Sequence, residues 1–272
     1  MTQLSFTTSL LNELPSWGLT LALILAMLLA AELGYRIGWA RHEQVGDAGR
    51  GHFTAVQASL LALLALLLGF TFNMANVRFD ARQQGVINAA NNLSALGLYS
   101  GELPERQRAE FRRLLGDFLS VQADDSIRKR DITPTELSKR VARAEVLHRQ
   151  MWEIIRSQAQ TANPPRVLDT LTAQLTEAQS LLRRRIFVYL NRVPERILLL
   201  LFTAAIGAAG VVGFSAGLGQ HHGRFQTIAL TIFVCGTIHV ILDLDRPISG
   251  VQVDQTPLLS LKAQWEHEAA SQ

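Results

Sequence analysis

Glu32 and Arg36 stand four residues apart inside an otherwise apolar run, with the carboxylate first, the favourable order for an ion pair on one helix face. Two roles are open to this intramembrane pair: Arg36 reaches to the membrane interface and takes Glu32 with it, or the carboxylate faces an ion path. Asn73, Asn76 and Asp80 follow Gly69 at helical spacing, and Gln83 extends the series, so all of them share one face. Such a stripe either lines a water-filled vestibule or marks the solvated side of a helix leaving the bilayer. Phe70 and Phe72 lie where apolar residues give way to this stripe. A ring of them would make a constriction that gates by dewetting, and the alternative is plain helix packing.

Other chemistries find little support. His221 and His222 are adjacent rather than spaced for ligation from one helix face, and His239 reads as a group satisfied by a packed partner. Cys235 is the sole cysteine, which excludes an intrachain disulfide and suits a small packed hydrophobe. There is no Gly-rich phosphate loop, HExxH, CxxC or nucleophile elbow, so no enzyme, metal site or cofactor is expected. The net charge of +3 is modest and no basic stretch is interleaved with aromatics, so nucleic acid is not an expected partner.

The elements that must carry these residues follow from where the apolar residues lie. They make up 48% of 272 residues and concentrate before residue 76 and after residue 196. The expected plan is all-α: four transmembrane helices with a helical insert between the second and third. Residues 1–77 form the N-terminal membrane part, with helices at about 17–39 and 53–75; 78–195 the insert; 196–243 the C-terminal membrane part, with helices at about 197–218 and 225–242; and 244–272 a tail. Each span approaches the ~20 residues that cross ~30 Å of hydrocarbon. The polar, Gly-punctuated residues 40–52 read as a short loop. No Gly-Pro break interrupts Leu60 to Arg82, so one rod is expected to run from apolar into polar surroundings. Residues 1–16 lack the basic region of a secretory signal, and the N-terminus is expected to be retained.

In the insert, Phe111, Leu114, Leu115 and Phe118 share one helix face. Thr133-Pro134-Thr135-Glu136 is a helix start with a capping box, after which Leu137, Val141, Ala144, Met151 and Ile155 keep helical spacing. Asn163-Pro164-Pro165 ends that helix. Leu168, Leu171, Leu175, Ala178 and Leu182 then form a seam for packing within the subunit or against a neighbour.

Arg183, Arg184, Arg185, Arg192 and Arg196 crowd the approach to the third span. They suit anionic lipid on the cytoplasmic face, or an anion-attracting vestibule. In that span Ala205, Ala209, Gly213 and Gly217 place a small residue at every fourth position, which lets helix backbones approach closely in lipid. The turn GQHHGR leads to the fourth span. Arg78, Arg82, the arginine cluster and Arg246 outweigh Arg41, Arg50 and Arg224 on the opposite side, so insert and both termini are expected in the cytoplasm.

Two motifs are familiar. Leu68-Gly69-Phe70, Asn73 and Arg78-Phe79-Asp80-Ala81-Arg82 resemble the pore-helix segment of bestrophins, with one residue fewer and Phe in place of Trp. Asp243-Leu244-Asp245-Arg246-Pro247-Ile248-Ser249-Gly250, with Asp254 and Pro257-Leu258, resembles the run that follows their fourth helix. The bacterial bestrophin-like family is closer still, through Glu32 and Gly34, the LLLGFTF core and the LDLDRP tail. This resemblance covers about residues 30–82 and 240–262. It implies a homo-oligomeric ion channel of the bacterial inner (plasma) membrane, pentameric as in bestrophins. The second helices would line a central pore for small inorganic ions, with Phe70 in an apolar neck. The region of Asp243 and Asp245 would brace subunits near the membrane surface, and the acidic calcium clasp of eukaryotic bestrophins is not evident.

Gly69, Phe70, Phe72, Asn73, Asn76 and Asp80 are thus the pore-lining candidates, and Arg78, Arg82, Asp243, Asp245, Arg246 and Pro247 the motif residues. Membrane lipid and further copies of the chain are the expected partners. The alternative reading is a non-conducting membrane scaffold or sensor that recruits a cytoplasmic partner through the insert.

Overall fold

Helix-forming periodicity dominates, and the computed structural model describes residues 15–45, 47–123, 134–161, 166–190, 193–220, 224–245 and 253–270. They form eight helices: α1 (Ser16–Arg41), α2 (Asp47–Ser100), α3 (Glu105–Ala123), α4 (Pro134–Ala159), α5 (Leu168–Leu190), α6 (Glu195–Leu218), α7 (Arg224–Asp245) and α8 (Thr256–Ala270). No strand occurs among the described residues. Four helices, α1, α2, α6 and α7, are long and apolar enough to cross a membrane. Thr133, the Asn163-Pro164-Pro165 stop, Arg192, His221, His222, Arg246, Pro247 and the rest of 248–250 lie outside the described residues.

The described residues divide into two compact units, 15–78 with 193–245 and 79–190 with 253–270. In the first, α1 packs along α6 and, less extensively, against α7. The α1–α6 contact is built on glycine from both sides. A Cβ at Gly34 would overlap the carbonyl of Gly210, one at Gly38 that of Phe214, one at Gly213 that of Ala31, and one at Gly217 that of Tyr35. Backbones therefore touch directly, with dispersion and weak Cα–H contacts replacing side-chain interdigitation. Ala205 and Ala209 are fully buried on the same face of α6. Between α1 and α7, the Cys235 thiol (1% exposed) lies 3.5 Å from the Met27 sulfur.

The second unit has its own apolar core. Phe111, Leu114, Leu115 and Phe118 of α3 meet Ala144, Met151 and Ile155 of α4 and Leu171, Leu175 and Ala178 of α5. The leucine seam of α5 is thus filled within the subunit. From α2, Val86, Ala89, Ala90, Leu93 and Leu96 join this core. Asn92 Nδ2 donates to the Gln174 carbonyl (3.1 Å) and Oε1 (2.8 Å), fixing α2 against α5.

Two elements differ from the sequence expectation. The loop expected at 40–52 is shorter than that, because α1 runs to Arg41 and α2 already begins at Asp47. Gly49 and Gly51 each cost about 1 kcal/mol in a helix, too little to stop a helix propagating from the strongly apolar run that follows. The tail carries a helix, α8, that has no counterpart in the sequence expectation. Asp254 Oδ1 accepts from the backbone N–H (2.8 Å) and hydroxyl of Thr256, and Pro257 occupies the first turn. The ring of Trp265 on α8 lies over Gly97 of α2, where any Cβ would collide with it.

Candidate functional site: the uncovered face of α2

α2 is a single helix of 54 residues, and its apolar stretch is the least covered of the four. Only 6% of the residues in that window are buried, against 28%, 39% and 39% for α1, α6 and α7. The covered side is narrow: Leu64, Thr71 and Ala75 are buried, and the Thr71 hydroxyl is spent on the Leu67 carbonyl (2.7 Å). Near the start of the helix, Phe53 packs edge-on against Phe214 of α6, with centroids 5.0 Å apart.

At about 100° per residue, Asn73 lies almost diametrically opposite the Thr71–Ala75 side, with Gly69, Asn76 and Asp80 close to it. Gly69, Asn73 and Asp80 are exposed and Asn76 is half-buried. Leu66 (54% exposed), Phe70 (63%) and Val77 (56%) line up beside Asn73 on this bare face. Phe72 (40% exposed) departs from them, because two residues along a helix turn it about 160° from Phe70 by the shorter way. The two rings therefore cannot both point at one axis. Arg82 turns to the covered side and is 8% exposed, while Arg78 is half-buried.

The Glu32–Arg36 pair forms as its spacing implies. Arg36 Nε donates to Glu32 Oε1 at 2.8 Å, with both side chains well exposed. Two of the arginines before α6 have partners within the second unit. Arg185 Nη1 donates to Gln122 Oε1 (2.9 Å), and burial pushes its guanidinium down to about 10. Arg183 is exposed and sits 3.9 Å from Glu145, and Arg184 and Arg196 are exposed. At the end of α7, Asp245 is 4% exposed and accepts from the Val193 N–H at 2.8 Å, fixing the chain as it enters α6. That buried carboxylate is used within the subunit.

His239 has packed partners, as expected from the sequence, and the structure names them. Its Nδ1 is 2.9 Å from Thr20 Oγ1 on α1 and its Nε2 3.4 Å from Asp243 Oδ2. The spacing of His239 and Asp243 by four was a usable signal. In the second unit an open cavity of about 440 Å³ between α4 and α5 is walled by Glu145, His148, Trp152, Thr176, Gln179 and Arg183. His148 Nε2 donates to the Leu175 carbonyl (3.1 Å), so the ring is held rather than paired with a nucleophile. Among the described residues no group of three His, Cys, Asp or Glu side chains converges as metal ligands.

The His148 imidazole is held below its ordinary 6.5, first by desolvation and also by Arg183, against the opposing Leu175 carbonyl and Glu145. A depressed folded value means that the unfolded chain binds the proton more readily. The stabilisation is complete above 6.5 and is lost as pH falls through the folded value. Thermal unfolding followed in the second unit should show a fall in midpoint below about pH 6.5 that His148→Gln reduces.

Four apolar helices, two of them in glycine-mediated contact and α2 with a bare, partly polar face, define a helical membrane protein. The sequence profile of the bestrophin-like domain matches residues 18–258. The chain belongs to the bestrophin-like family. The fold is that of a bacterial bestrophin homologue from Klebsiella pneumoniae. One variant of it aligns with TM-score 0.67 at 16% identity over 93% of this chain and 97% of that one. A second variant gives 0.65 at 16% over 92% and 98%, and a further structure of the homologue 0.63 at 16% over 91% and 97%. No curated protein matches the chain.

Proposed function

We propose that this bestrophin-like membrane protein assembles as a ring, five copies as in bestrophins, around an ion pore walled by α2. The observation that carries this reading is the bare face of α2, where Asn73, Asn76 and Asp80 follow directly on an apolar span that its own subunit scarcely covers. A stripe of amides and a carboxylate suits a water-filled lumen or a seam between copies better than hydrocarbon. Leu66 and Phe70, one turn apart on that face, form the apolar neck, and Gly69, Asn73, Asn76 and Asp80 the wetter mouth. Phe72 flanks the neck and faces the adjacent copy. The pore passes small inorganic ions in the bacterial inner membrane, with the helical insert and both termini in the cytoplasm and lipid around the ring.

The test is current across planar bilayers holding the purified, intact oligomer under a salt gradient, with a Phe70→Ala, Phe72→Ala double variant as the opened neck. Current that reverses at a potential set by the gradient is expected, and the sign of that potential assigns the charge preference. Silence from both proteins overturns the pore and leaves the scaffold, whose signature is a partner retained by the full-length chain.

A further inference from the structure

The exposed side of α3 is dense in charge, with Glu110, Arg112 and Arg113, and that of α4 carries Lys139, Arg143 and Arg149. α2 is different. Between Gly51 and Ser100 its formally charged side chains are Arg78, Asp80 and Arg82, and from Gln83 to Ser100 there is none. Gln84, Asn88, Asn91 and Ser94 are exposed in that stretch, and Leu98 is 75% exposed. At about 100° per residue, Asn91 and Leu98 fall within about 20° of Asp80 and Gln84 within about 40°, so an uncharged, mostly polar stripe follows Asp80 along the helix. Arg78 and Arg82 stand two residues to either side, turned about 160° round the helix, with Arg82 8% exposed and Arg78 half-buried. Asp80 is therefore the one formal charge that α2 presents on its bare face between Gly51 and Ser100.

We propose that Asp80 sets the charge preference of the pore, for small cations over anions, by forming a ring of carboxylates in an otherwise uncharged wall. This assignment rests on the pore reading, in which copies of α2 surround the axis. Amides and hydroxyls wet a lumen without strongly favouring either sign, since each offers both a donor and an acceptor. A ring of Asp80 side chains adds one negative charge per copy at a single level, and such a ring concentrates cations and repels anions in a confined mouth. The arginines before α6 are the competing source of charge. Arg185 donates to Gln122 and Arg183 lies beside Glu145, which weakens the case for an anion-attracting vestibule there.

The experiment is a set of reversal potentials in planar bilayers under a KCl gradient, for the full chain and its Asp80→Asn, Asp80→Glu and Arg184→Gln variants. Each is also made in the Phe70→Ala background, so that a narrow neck does not limit the current. In the unsubstituted Asp80 proteins K⁺ should permeate on the order of ten times more readily than Cl⁻. Asp80→Asn should lower that ratio about fivefold or more, whereas Asp80→Glu retains it and Arg184→Gln leaves it unchanged. The preference should also weaken as salt is raised from about 0.1 M to 1 M, because the Debye length shrinks from about 10 Å to about 3 Å. Current that prefers Cl⁻, or a K⁺ preference that survives Asp80→Asn, overturns the assignment and leaves the pore standing. Silence from every protein, the Phe70→Ala background included, overturns the pore and the assignment together. Should Asp80→Asn fail to assemble, the salt series on the unsubstituted chain decides, and a K⁺ preference indifferent to salt overturns the role of Asp80.

Discussion

Gly213→Ala should destabilise the protein by about 1–3 kcal/mol, although the change adds a single methyl group to a helix and raises helix propensity. A Cβ at this position overlaps the carbonyl, carbon and Cα of Ala31. None of these is the end of a side chain that can swing away, so α1 and α6 must separate along their length. Separation also weakens the matching contacts at Gly34, Gly38 and Gly217, because all four lie on the same seam. Gly207, on the same helix, has nothing within 4 Å of an added Cβ in its own subunit. Gly207→Ala should therefore be neutral or stabilising by up to about 1 kcal/mol. Unfolding midpoints in detergent read both variants: a fall of roughly 3–10 °C is expected for Gly213→Ala and none for Gly207→Ala. Equal shifts would show that the α1–α6 seam yields to side chains.

Phe70→Ala should raise ion flux by an order of magnitude or more, with Phe72→Ala changing it far less. Both rings are exposed in the single subunit, but about 160° separates them around the helix. If Leu66, Phe70 and Asn73 face the axis, Phe72 faces a neighbouring copy. Removing Phe70 then widens and wets the narrowest apolar ring, and a dewetted constriction responds steeply to small gains in radius. Removing Phe72 leaves the lumen intact and loosens the contact between copies. Single-channel current measures the first effect, and the fraction of intact oligomer in size analysis measures the second. A larger current from Phe72→Ala than from Phe70→Ala would rotate the pore wall by more than a third of a turn.

Much of this architecture was legible because apolar segregation is a strong signal over twenty residues. The small-residue series at Ala205, Ala209, Gly213 and Gly217 is readable from spacing alone, and it does pack backbone to backbone. Its counterpart is not. Gly34 and Gly38 sit among Glu32, Tyr35 and Arg36, so they look like the frayed polar end of a span. The continuation of α2 to Ser100 is also hard to see. Residues 83–92 include Gly85, Asn88, Asn91 and Asn92, weak helix formers whose conformation is set by burial of Val86, Ala89, Ala90 and Leu93. The spacing of Asn73, Asn76 and Asp80 announces a shared face. Which side of α2 the subunit covers depends on tertiary packing, and a linear pattern does not contain that.

Cys235 offers an experimental handle. As the sole thiol in the sequence, wedged beside the Met27 sulfur where α1 meets α7, it is shielded from aqueous reagents in the closed packing. A cysteine introduced at an exposed position can therefore carry a fluorophore or spin label without first removing the native one, since the labels enter at very different rates. The slow reaction of Cys235 itself is equally useful. When opening and reclosing outpace labelling, its rate relative to an unprotected thiol gives the free energy of parting α1 from α7.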